Sequence, residues 1–139
     1  MDPGATALAA SGVGAASDLD GVDLRPFLSG AFGRPHDILY WRRGAAAAVR
    51  SGDMKLIRIQ ETDGSLLAPL LVDLAWDPGE TQDLAAERPD VTARLLGLLE
   101  AWEAEMMPSR WIQGERWLTN KRKKHDMSVV GRQEERKLP

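Results

Sequence analysis

Residues 49–59 read VRSGDMKLIRI. Two short β-prone runs flank Ser51-Gly52-Asp53, and Gly52-Asp53 are residues that turn a chain. The pattern predicts a hairpin whose second strand leads with Lys55. Within that strand Leu56 and Ile59 lie three positions apart, which does not match the period of two. A strand here therefore needs either a bend or cover on both faces.

The segments around the hairpin read as its neighbours in a sheet. Residues 37–43, DILYWRR, alternate, with Ile38, Tyr40 and Arg42 on one face and Leu39, Trp41 and Arg43 on the other. Residues 46–50, AAAVR, give a second strand, and Lys55 to Gln60 return as a third. Thr62-Asp63-Gly64-Ser65 is a turn signal. A fourth strand is expected at Leu70 to Leu74, because Pro69 demotes what precedes it to an edge or a loop. Asp77-Pro78-Gly79-Glu80 carries type II turn chemistry, with Pro at the second position and Gly at the third.

Pro89 opens a long helix, roughly residues 88–106. Val91, Leu95, Leu98, Leu99, Trp102 and Met106 fall on one stripe at spacings of three and four. Arg94, Glu100, Glu103 and Glu105 form the other face, and Pro108 stops the helix. At the N-terminus, Asp2 as cap and Pro3 in the first turn predict a short helix over 4–10, ended by Gly12 and Gly14. A compact turn follows over 18–29, with a helical turn at Leu24 to Leu28 and Leu19, Val22, Leu24, Phe27 and Leu28 as its buried candidates. The fold class is α+β: an antiparallel sheet of about four strands packed by one long C-terminal helix. Three segments result: residues 1–30, a helix and connection; 31–111, the sheet and its helix; and 112–139, a tail without apolar periodicity, expected to be poorly ordered, with Trp117 as a sticky point.

Bulk composition narrows the function classes. The chain has 139 residues, 43% hydrophobic and 28% charged, as expected of one globular domain with a modest core. Its net charge of −3 predicts no nucleic-acid partner. The charge is uneven, since residues 112–139 hold 8 of the 18 basic side chains and 4 of the 21 acidic ones. The basic run Lys121-Arg122-Lys123-Lys124-His125 reads as a solvated tail, with nucleic acid, an anionic surface or an import receptor as its alternative contacts. No cysteine is present, which excludes disulfides, thiolate metal sites and a cysteine nucleophile. No apolar run is long enough to predict a membrane span. The Ala-rich start lacks a basic region and carries Asp2 and Pro3, so it does not read as a signal peptide; the sequence leaves the localisation unknown, cytoplasmic only as the chain stands.

After Asp2 and Ala5-Thr6-Ala7-Leu8-Ala9, six pieces in order carry a resemblance: Leu19-Asp20-Gly21-Val22-Asp23-Leu24-Arg25-Pro26-Phe27-Leu28, Trp41-Arg42, Ala48-Val49-Arg50, Gly52-Asp53-Met54-Lys55-Leu56-Ile57-Arg58, Asp73-Leu74, and Asp77-Pro78-Gly79-Glu80 with Asp83-Leu84-Ala85. Together with the helix opened by Pro89, the chain over residues 2–111 resembles the C-terminal part of a sulfatase of the alkaline-phosphatase-like superfamily. Three positions depart from the family's usual pattern: Met54 where Trp is usual, Val72 where Tyr is common, and Asp83 where Asn is common.

The resemblance implies a sulfuric ester hydrolase whose formylglycine nucleophile and calcium ion sit in a large N-terminal domain. No catalytic residue, metal ligand or cofactor of that kind maps onto these positions. The chain is therefore expected to be inactive alone, and to partner the missing N-terminal catalytic domain or itself. Met106-Met107-Pro108-Ser109-Arg110 looks like the nucleophile motif but has Met where Cys or Ser is needed, and reads as a helix stop. By resemblance, His36, Trp41, Arg42 and Arg43 are candidates for the rim of a substrate cleft, because the guanidinium fork suits an anionic group. The competing reading makes Trp41 a core or interface aromatic and pairs the arginines with aspartates. Asp73, Asp77, Glu80 and Asp83 lack calcium-loop spacing and read as turn caps. Lys55, between Met54 and Leu56, reads as an outward solubilising residue. The alternative function is a stand-alone interaction module using the sheet face or the basic tail. In either case the uncovered sheet face predicts self-association or marginal stability.

Overall fold

A computed structural model describes residues 2–13, 19–44, 46–60 and 65–107. The tail 112–139, with Trp117 and the basic run, lies outside the described residues, as do Gly14, positions 62–64 of the second turn and Pro108 to Arg110. The chain divides into two compact units, Met1–Asp37 and Ile38–Pro139.

The first unit holds helix α1 (Asp2–Ala10) and the single turn α2 (Arg25–Leu28). Gly12 ends α1 in the left-handed conformation, φ 77°. The carboxylate of Asp2 reaches beyond its own helix. It accepts hydrogen bonds from the backbone N–H of Val22 at 3.2 Å and from His36 Nε2 at 2.7 Å. One turn along, Thr6 Oγ1 accepts from the N–H of Leu24 at 3.0 Å. Asp2 and Thr6 are four apart and share a helix face, and Val22 and Leu24 are two apart in the segment that leads into α2. Thr6 Oγ1 also donates to the carbonyl of Val22 at 3.5 Å, so the two helix side chains together hold that segment. Of the expected buried residues here, Leu19 and Leu28 are instead exposed, at 43% and 80%. Four residues of α2 make too short a helix to bury a full stripe, and Leu28 falls on its outer side.

The second unit is built as the sequence predicts. Strands β1 (Ile38–Arg43), β2 (Ala46–Ser51), β3 (Met54–Ile59) and β4 (Leu70–Asp73) form an antiparallel sheet in the order β1-β2-β3-β4. Ser51 pairs with Met54, so Gly52-Asp53 is a two-residue hairpin turn, with Gly52 at φ 63°. Helix α3 (Pro89–Glu105) lies on one sheet face. Leu95 and Leu99 project from it onto Val49, Leu56 and Leu71, and all five are fully buried. Burial at this level contributes about 2 kcal/mol per large side chain before ordering entropy is subtracted.

Leu56 and Ile59 do not share a face, and β3 pairs without a bulge from Met54 to Ile59. Leu56 belongs to the core under α3, whereas Ile57 and Ile59 form a second apolar cluster with Ala48, backed by Ala46, Leu67 and Leu70. Both faces of β3 are covered, which explains the mixed spacing in its sequence. Val72, also fully buried, stands on that second face as the cross-strand neighbour of Lys55.

The free side of β4 is closed by chain that follows it. Leu71 donates its N–H to Asp83 Oδ1 at 3.1 Å, and its carbonyl accepts from the N–H of Leu84 at 2.7 Å. Capping an edge in this way removes a row of groups that would otherwise recruit another strand.

Candidate functional site

The turn after β4 differs from its sequence reading. Type II geometry requires a positive φ at Gly79, but the left-handed residue is Glu80, at φ 55°. The N–H of Glu80 still closes the turn onto the carbonyl of Asp77 at 3.1 Å. The reason lies in the next two amides. With Glu80 left-handed, the N–H groups of Thr81 and Gln82 both reach Asp77 Oδ2, at 2.6 and 2.7 Å. Thr81 Oγ1 donates to Asp77 Oδ1 at 3.1 Å as well. The carboxylate thus satisfies three donors and fixes the turn.

The remaining carboxylates of this stretch are equally engaged. Asp73 Oδ1 accepts from the N–H of Ala75 at 3.0 Å, and Asp83 Oδ1 accepts from Leu71 and from Ala85. Glu80 Oε1 meets Lys55 Nζ at 2.5 Å, with both side chains about a fifth exposed. Among the described residues no three His, Asp or Glu side chains converge as a metal site would require. Each of these four carboxylates is directed at a backbone amide or at Lys55.

Lys55 is therefore not the outward residue its neighbours suggest. Placed on the face opposite Leu56, it is folded under Glu80 as the loop returns. Glu103, expected on the solvent face of α3, is likewise paired. It meets Arg58 Nη2 at 2.5 Å, both side chains under a fifth exposed, and Arg58 Nε is buried without a partner. Arg58 has the parity of Leu56 in β3 and so points at α3, a signal already present in the sequence.

The candidate rim residues fall into two groups. His36 lies in the first unit, bound to Asp2. That bond, with the Val22 amide as a further donor, holds the Asp2 carboxyl below the usual aspartate range. Nearby, Arg25 grips Asp23 through Nε and Nη2, at 3.0 and 2.8 Å, which lowers the Asp23 carboxyl and raises the Arg25 guanidinium. The other three lie on β1 in the second unit. Arg42 donates from Nη2 to the carbonyl of Met107 at 3.1 Å, joining the helix-covered face just past the end of α3. Trp41 and Arg43 share the opposite face by strand alternation. Trp41 pairs with Ala48 and Arg43 with Ala46, so small residues stand across from both. Trp41 is 46% exposed. Tyr40, between Trp41 and Leu39, turns to the core and stacks on Trp102 with ring centroids 5.0 Å apart and planes 9° from parallel.

No family model matches this chain, and no curated protein matches it. Solved structures do match. Ps i-CgsB, determined in complex with k-i-k-neocarrahexaose, aligns over 92% of this chain and 29% of its own, at TM-score 0.61 and 18% identity. A protein of a Bacteroides thetaiotaomicron core genetic locus for the metabolism of multiple glycosaminoglycans aligns over 73% of this chain and 24% of its own, at TM-score 0.56 and 22% identity. The "putative sulfatase yidJ" of Bacteroides fragilis aligns over 70% of this chain and 23% of its own, at TM-score 0.53 and 18% identity. The chain thus spans about a quarter of the length of the structures it matches. At these identities the likeness is one of fold, and it is a fold shared with part of the putative sulfatase and of the other two structures.

Proposed function

We propose that this chain serves as the C-terminal part of a sulfatase, an enzyme that hydrolyses sulfate esters. The observation that carries the reading is the alignment of 70% of the chain with 23% of the putative sulfatase yidJ at TM-score 0.53. The four-stranded sheet and its helix supply a framework. In this reading the nucleophile and the metal belong to the remaining three-quarters of the enzyme, with formylglycine as the nucleophile and calcium as the ion. The partner is that catalytic body, docked at the β1 end of the sheet face turned away from α3, where Trp41 is exposed, or a second copy of this chain in its absence. Trp41 and Arg43 share that face of β1 and stand at the rim, where a guanidinium would meet an anionic sulfate ester. Arg42 contributes by tying the chain after α3 to β1, and His36 by holding Asp2.

Two measurements test the proposal. The purified chain is offered an aryl sulfate with and without a chelator. No turnover is expected, and chelator-sensitive hydrolysis by these residues alone would overturn the assignment of the chemistry elsewhere. The coding sequence upstream of Met1 is then read. An in-frame C/S-x-P-x-R stretch a few hundred codons earlier supports the sulfatase reading. A ribosome-binding site at Met1 behind an unrelated gene would replace it with a stand-alone interaction module.

A further inference from the structure

We draw no further inference here: the strongest candidate, the exposed Trp41 ring at the β1 end of the sheet face turned away from α3, carries nothing beyond the docking already proposed, because nothing in the structure shows what else covers it.

Discussion

Lys55 on β3 and Glu80 in the loop after β4 meet as an ion pair 2.5 Å apart, 25 positions apart in sequence. The contact joins the hairpin to the loop that returns over it, on the face where Val72 is fully buried. Both side chains are mostly removed from water, so the pair lies between the weak exposed case and the costly buried one. Replacing Lys55 by Met is expected to lower unfolding free energy by about 1–3 kcal/mol, since Glu80 is left without its cation. Urea unfolding would show this as a lower midpoint at unchanged slope. An effect within about 0.5 kcal/mol would place the pair among ordinary surface contacts.

Glu80 also occupies a backbone conformation that disfavours a side chain, φ 55°. Glu80→Ala loses the carboxylate and keeps the Cβ, whereas Glu80→Gly loses both. The glycine variant is therefore expected to be the more stable of the two by about 1 kcal/mol. Equal stabilities would mean that the turn relaxes once Lys55 is released. At Gly79, where a type II turn would place the left-handed residue, alanine is expected to be tolerated. Its Cβ would meet Thr81 Cγ2 at 3.4 Å, an ordinary contact.

The sheet was legible because each strand carries its own local signal: alternation in residues 37–43, the Gly52-Asp53 turn, Pro69 before β4. The stripe of α3 was legible for the same reason, with Leu95 and Leu99 one turn apart. What escaped were pairings set by the third dimension. Glu103 looks solvent-facing along its helix, and only the approach of β3 places Arg58 beside it. Asp2 looks like a cap, and its partners lie 20 and 34 positions away. The turn at Asp77 was misassigned because Gly79 offers a left-handed site, whereas the two amides gathered by the Asp77 carboxylate place it at Glu80. Of the rim candidates, alternation alone put Trp41 and Arg43 together on β1. The Met107 carbonyl bound by Arg42 lies 65 positions away, beyond any local pattern.

Arg58 and Glu103 bridge β3 and the last turns of α3 within an apolar setting. Removing one charge there strands the other, and Arg58 Nε already lacks a partner. Glu103→Leu is expected to destabilise by about 2–4 kcal/mol, and Arg58→Met with Glu103→Leu to recover most of that loss. The same denaturant series measures both. A double variant no better than the single one would show that the pair contributes net stability in its own right.

Asp2 gives the first unit a sign-defined dependence on pH. Its carboxyl is held below the usual aspartate value mainly by the His36 bond, so the carboxylate form is favoured in the fold. A lowered folded pKa adds stability that is present above the ordinary aspartate range, about 3.9, and is lost as pH falls through the lowered value. NMR titration of the Asp2 carboxyl carbon would read it directly. In His36→Ala the titration is expected to move up toward the ordinary value. An unmoved titration would assign the effect to the Val22 amide alone.

The proposed docking face makes a prediction about the isolated chain. Trp41 stands 46% exposed on the side of β1 away from α3, across from Ala48 in the second apolar cluster. A large aromatic left half in water is a ready contact for another molecule. Size-exclusion chromatography of the chain is expected to show concentration-dependent association. Trp41→Ser should shift the population toward monomer while changing stability by no more than about 0.5 kcal/mol, because the ring is not part of the core under α3. Trp102→Ala, which removes the ring stacked on Tyr40, should do the opposite: lower stability by about 3 kcal/mol or more and leave the Trp41 contact in place. A Trp41→Ser chain that associates as strongly as its parent would move the sticky surface elsewhere, and the rim assignment of Trp41 would lose its support.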